Sequence, residues 1–426
     1  GGTTLAGGSI SGYSGDLSLA PTSAITLSSN LASPSLSGSA NINLSSYTLT
    51  VGSDDSSTSY TGVISGTGGL VKQGSGTLTL TGTQTYTGDT TISAGTLTVS
   101  GSGSLNSGNY AGAIANSGTL NYASSTSQTL SGVISGTGSL TKSGSSTLTL
   151  SGNNTYSGDT TISAGTINVS GKIGNGSYSG AIANSGTFVM SSSTAHTLSG
   201  AISGSGGITK SGSGNLTLSG SNNFTGTITL SNGTLIGASD NALGSAPTIA
   251  ASNSPTFQTS SSSITLPSLT VTGEINLTSD IITTGAQSYS AATTIGASSG
   301  SAITVRTTNS NITFSDEVKL YQNTTINSGS GGGSITFGGD MYTHNSASAE
   351  RNLIVNAGTG DVTFSGSITG GGDYSAGFTQ GSFINESDLD FSGTFLNAIN
   401  IAGNAVTVGD ATFQRGHAGY NLSLIH

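Results

Sequence analysis

Three carboxylates offer the most obvious chemistry in this sequence. Glu386, Asp388 and Asp390 share one parity in the strand-like stretch FINESDLDF, so an extended backbone projects them from one face. Paired carboxylates at suitable separation perform glycosidic acid/base chemistry. The same oxygens form a donor set for Ca²⁺. The competing reading is a solvated acidic patch, and the Arg, Lys and aromatic side chains expected around a sugar site are sparse nearby. Asp316 and Glu317 are adjacent and point to opposite faces. Asp89 and Asp159 each follow a glycine at corresponding positions, which reads as a solvated corner, with ion bridging between coils as the alternative. The run GGGSITFGGD (331–340) has the composition of a calcium-binding nonapeptide but lacks tandem copies in register. His196, His344, His417 and His426 show no metal-ligand spacing, and no Ser/His/Asp constellation stands out among so many serines. The expectation is therefore no catalytic residue, no metal site and no cofactor, with Ca²⁺ at Glu386, Asp388 and Asp390 as the one alternative.

The elements that would position such residues follow from composition. The chain has 426 residues with 6% charged, no Cys and no Trp, against roughly 25% charged in an ordinary domain. Its surface must then be built from Ser, Thr, Asn and Gly. Only eight Lys and Arg stand against 18 Asp and Glu, which argues against nucleic acid or anionic membrane as partner. No run of about 18 apolar residues suggests a membrane-spanning helix. Without cysteine there is no disulfide framework and no thiolate site. The start at Gly1, with no initiator Met or signal peptide, is what a processed or truncated form would show.

Repeats decide between order and a disordered Gly/Ser/Thr-rich linker. GVISGTGGLVKQGSGTLTLTG (62–82), GVISGTGSLTKSGSSTLTLSG (132–152) and GAISGSGGITKSGSGNLTLSG (200–220) align, with Lys72, Lys142 and Lys210 in equivalent places, 70 and 68 apart. TYTGDTTISAGTLTVSG (85–101) matches TYSGDTTISAGTINVSG (155–171), and NFTGTITLSNGTLIG (223–237) is a degraded third copy. YAGAIANSGTL (110–120) returns as YSGAIANSGTF (178–188). A unit of about 70 residues thus holds three smaller ones of about 20–30, the scale of solenoid repeats. Within them Leu78 and Leu80, or Leu97 and Val99, alternate with Thr or Ser, the period of a half-buried strand. Helical spacing is nearly absent.

The expected fold is all-β, a parallel β-helix or β-solenoid. At about 20 residues per coil it would have about 20 coils and a length of roughly 100 Å. Residues 1–60 would form N-terminal coils, 61–250 the long repeats, and 251–426 coils of 22–27 residues. In that last part Phe314, Phe337, Phe364, Phe391 and Phe413 recur at 23, 27, 27 and 22 residues, which predicts one interior aromatic column. Asn116 and Asn184 occupy equivalent corners, where stacked side-chain amides would form ladders. The three lysines read as outward-facing, solubilising groups that discourage wrong lateral pairing. Asn-x-Ser/Thr triplets such as those at Asn43, Asn276 and Asn323 are expected by chance in so much Ser and Thr.

The run 68–101 and its second copy resemble the passenger-associated transport repeat of bacterial autotransporters. The third copy, ending GTLIGASDNALGSAP (233–247), resembles that family's closing segment. RNLIVNAGTGDVTFSGSI (351–368) resembles repeats of filamentous-haemagglutinin-like surface proteins. Close resemblance covers about 60–250 and weaker resemblance 310–415, and it is specific for the class rather than for one protein. It implies a right-handed β-helix exported to the cell surface as adhesin or stalk, with no catalytic residues in the repeats. No run of amphipathic strands of the family's outer-membrane-barrel type is visible. The functional expectation is an extracellular structural or adhesive rod, contacting a host or neighbouring cell surface or its glycans, or adding head to tail through its uncapped ends into a filament. The alternative is a polysaccharide-binding or polysaccharide-cleaving β-helix.

Overall fold

The computed structural model describes residues 3–5, 17–19, 25–245, 247–296, 300–343, 351–357, 359–366, 368–370, 396–402, 405–408 and 421–425. Their strands are two to seven residues long and pair in parallel, each with a strand roughly one coil away. Among the described residues there is no α-helix, only two 3₁₀ turns at Asn106–Gly108 and Gly174–Gly176. The fold is a parallel β-solenoid of about 16 turns, fewer than the 20 expected. One reason is coil length: Asp361 pairs with Ala405, so a single turn there consumes 44 residues. The chain divides into two compact units, Gly1–Gly214 and Asn215–His426.

In the first unit Leu31–Ser33, Leu49–Val51, Leu70–Lys72, Thr90–Ile92, Ile114–Asn116 and Ile134–Ser135 form one ladder. Leu70, Thr90, Ile114 and Ile134 mark coils of 20, 24 and 20 residues. Three coils therefore end at Ile134, one strand short of the next repeat's Ser139–Lys142. The sequence repeat is three coils plus one further strand, so equivalent residues fall in successive ladders. Lys72 lies between Val51 and Ile92, Lys142 between Tyr122 and Ile162, and Lys210 beside Met190. Asn116 and Asn184 likewise fall in different ladders, beside Ile92 and Ile162. The expected Asn-on-Asn ladder is thus corrected: the repeat is out of phase with the coil.

In the second unit the phase is different. Gln287–Tyr289, Ile312–Phe314, Ile335–Phe337 and Asp361–Phe364 are consecutive rungs, with Tyr289, Phe314, Phe337 and Phe364 in register. Their rings stack at centroid distances of 4.8, 5.4 and 4.7 Å and are parallel within 8°. All four are buried. Such rings combine large apolar burial with offset contact. The column also takes in Tyr289, which the phenylalanine spacing did not reveal. The rung after Phe364 is Val408, which corrects the expectation that the 27-residue spacing continues the column. Phe391 and Phe413 lie outside the described residues.

Candidate functional site

The acidic trio Glu386, Asp388 and Asp390 lies outside the described residues. Among the described residues no cluster of three or more His, Asp or Glu could hold a metal ion. Asp316 accepts the backbone N–H of its neighbour Glu317 at 2.8 Å, and Glu317 forms an ion pair with Lys319. The calcium-like run 331–340 contributes Ile335–Phe337 to the aromatic ladder. The corner aspartates hold backbone instead: Asp89 Oδ1 accepts Ala113 N–H and Asp159 Oδ1 accepts Ala181 N–H, each at 2.8 Å and one coil on. Asp280 does the same for Thr304 at 2.7 Å.

The chemistry that the repeats share is inside the coil. Lys72, Lys142 and Lys210 are buried, which corrects their outward assignment. The alternation carried the signal. Lys72 is two residues from Leu70, Lys142 two from Leu140 and Lys210 two from Ile208, so each shares the inward parity of an apolar residue. Lys72 Nζ donates to the carbonyls of Gln73 at 2.7 Å and Gly74 at 2.9 Å. Lys142 and Lys210 reach the carbonyls of Gly144 and Gly212. Each ammonium thereby satisfies corner carbonyls that turn away from the ladder. Desolvation lowers all three lysine pKa values, and for Lys72 the nearby Asp55 and Asp54 partly oppose it. Lys142 also lies 5.7 Å from the Tyr122 ring centroid.

A second repeated set joins hydroxyls. Thr90 Oγ1 bonds Tyr86 Oη and Tyr110 Oη, both at 2.7 Å, and Tyr110 donates to the Gly88 carbonyl at 2.5 Å. Thr160 repeats this with Tyr156 at 2.9 Å and Tyr178 at 2.7 Å, and Tyr178 donates to Gly158. Burial pushes Tyr86 and Tyr178 up to about 12, so these phenols stay protonated donors. In the third copy Phe224 and Ile228 replace Tyr and Thr, and both are buried. Hydroxyls there are lost as a pair, which leaves no half-satisfied partner.

Amides complete the interior. Asn116 Nδ2 donates to Ser139 O at 2.9 Å and its Oδ1 accepts Gly118 N–H at 3.2 Å; Asn184 repeats this on Gly207 and Gly186. Gly136 (φ +100°) and Gly204 (φ +99°) pass so close that a Cβ would meet the Asn116 or Asn184 carbonyl oxygen at 2.1 Å. Gln128 accepts Leu105 N–H at 2.8 Å and donates to Leu105 O at 3.1 Å. His196 holds the equivalent place one repeat on. Its Nδ1 meets Thr194 O at 2.9 Å, while the buried Nε2 has no hydrogen-bond partner.

The outer face carries hydroxyls in rows. Thr77 and Thr79, Thr96 and Thr98, Thr119 and Asn121, and Ser139 and Thr141 occupy alternate positions of consecutive rungs, opposite the inward Leu, Val, Tyr and Lys. Thr119 and Ser139 hydroxyls bond at 3.0 Å. This face is uncharged and polar, and offers hydrogen-bond donors and acceptors at strand spacing.

The family model described as passenger-associated-transport-repeat matches three stretches, residues 70–99, 140–169 and 208–236. Each begins at or next to the strand that carries a buried lysine and runs through the Tyr-Thr or Phe-Ile pair. Comparison with curated proteins and with solved structures found no match. The lysine-bearing strands, the corner amides and the matched stretches are one recurring unit, wound into a parallel solenoid, and this makes the chain an autotransporter passenger-like β-helix protein.

Proposed function

We propose that this chain is a structural and adhesive segment of an exported bacterial surface protein. The observation that carries the reading is the threefold passenger-associated-transport-repeat set within a β-solenoid. The interior supports it: buried ammonium, amide and phenol groups are spent on backbone carbonyls and on one another, which holds corners in place. The outer rows of Thr, Ser and Asn support contact with hydroxyl-rich partners such as glycans, since neutral donors and acceptors match sugar hydroxyls without charge. The test is antibody labelling of intact cells of the source bacterium, paired with deletion of residues 61–250. Surface labelling and reduced binding to glycan-coated surfaces after deletion are expected. Absence of surface label, or cleavage of a polysaccharide panel by the purified chain that Glu386→Gln and Asp390→Asn abolish, would overturn it.

A further inference from the structure

We infer that Asn232 is a built-in site of spontaneous backbone modification, at which the Gly233 nitrogen attacks the Asn232 side-chain amide. Two Asn-Gly pairs occur in the sequence, at Asn175 and Asn232, and the fold treats them differently. At the corner between strands Ile228–Leu230 and Thr234–Gly237, Asn232 is exposed. The Gly233 N–H donates to Asn232 Oδ1 at 2.8 Å, which lays the nucleophilic nitrogen beside the side-chain carbonyl it must attack. Gly233 has no Cβ to hinder the approach and sits at φ +71°. Asn175 is also exposed, but it lies in a 3₁₀ turn at φ 53°, ψ 28°, and its Gly176 nitrogen is committed to the Ile173 carbonyl at 2.8 Å.

The chemistry balances with water alone. Base from solvent removes the Gly233 amide proton, and the nitrogen forms a bond to Asn232 Cγ. The Cγ–N bond breaks and the side-chain nitrogen leaves as ammonia, closing a five-membered imide. Water then opens the ring at either carbonyl, giving aspartate or isoaspartate. Either product adds one negative charge to the corner. The second also adds a methylene to the backbone path.

The other two copies set the comparison. Where the third reads SNGTL, the first two read SAGTL, with Ala94 and Ala164 before Gly95 and Gly165. Those glycines adopt φ +61° and +68°, the same corner as Gly233. The corner therefore needs the glycine and not the asparagine, and Asn232→Ala is a conservative control that keeps the fold.

The test is incubation of the purified, folded chain at mildly alkaline pH, with peptide mass analysis and isoaspartate-specific methylation. Asn232 is expected to convert about 10-fold faster than Asn175 in the folded chain, because only Asn232 holds its reacting groups together. Denaturation should bring the two rates together. Asn232→Ala should abolish isoaspartate labelling of that peptide while its circular-dichroism spectrum matches the parent. Equal rates at both sites in the folded chain, or conversion of Asn232 only after denaturation, would overturn the assignment.

Discussion

The two units of this solenoid solve the interior differently, and the difference lies in phase. In Gly1–Gly214 the sequence repeat is three coils and one further strand, so like residues never neighbour like: Lys72, Lys142 and Lys210 are each flanked by apolar or aromatic rungs. In Asn215–His426 the aromatic spacing is one coil, and Tyr289, Phe314, Phe337 and Phe364 stack face to face. Stacking like on like rewards rings and penalises charges. Rungs lie about 4.8 Å apart, so in-phase lysines would set buried ammonium groups against each other. An out-of-phase repeat can carry an interior lysine in every copy; an in-phase repeat cannot.

The most severe test forces the first unit into phase. Ile162 is the rung beside Lys142, and Ile162→Lys would bury a second ammonium one coil from the first. Urea unfolding should show a loss above about 4 kcal/mol, in the class of uncompensated buried charge. Part of that loss should return when Lys142→Met is added. No recovery in the double variant would mean that charge proximity is not what the phase shift avoids.

In the second unit the corresponding break is Phe337→Ala, which removes the ring between Phe314 and Phe364. The cavity and lost contacts should cost about 3–5 kcal/mol by the same measurement, with Phe337→Leu costing less. A loss below about 1 kcal/mol would show a stack that contributes little beyond filling space.

Removing a lysine should cost far less than adding one. Lys142→Met takes a partner from the Gly144 carbonyl, a loss of about 1–3 kcal/mol. It also relieves the desolvation that lowers the Lys142 pKa. The net expectation from urea unfolding is a loss of about 1 kcal/mol. A loss as large as that of Ile162→Lys would erase the asymmetry between the two positions.

These contrasts were partly legible in the residues. Alternation and repeats disclosed the parallel solenoid, because period two with glycine punctuation leaves few other ways to bury Leu78, Leu80, Leu97 and Val99. The same alternation placed Lys72 with Leu70, but a prior against buried lysine outweighed it. The Tyr-Thr pairs at 86/90 and 156/160 were hidden in apolar-looking runs, and their joint replacement by Phe224 and Ile228 was the one trace. Ladder neighbours were not legible, since they depend on coil lengths of 20 and 24 residues that no local motif announces. The Asn116 and Asn184 ladder failed for that reason, while Phe314 and Phe337 share a ladder because their spacing is one coil.

The smallest expected effect sharpens the first unit's own repeat. His196 replaces Gln128, whose amide bonds both the N–H and the carbonyl of Leu105. Its imidazole leaves Nε2 without a hydrogen-bond partner, and burial lowers its pKa below the ordinary 6.5, with Lys172 and Lys210 adding cationic repulsion. Protonation therefore favours the unfolded state. Above pH 6.5 the ring is neutral in both states and no stability is lost. As pH falls below 6.5 toward the lowered folded value, the unfolded chain takes up the proton first and stability declines. His196→Gln should remove that decline and restore the hydrogen-bonding capacity of the Gln128 coil. Unfolding midpoints compared between about pH 8 and pH 5 read it directly. Parallel pH profiles for parent and variant would show that the proton on His196 is not coupled to opening of this coil.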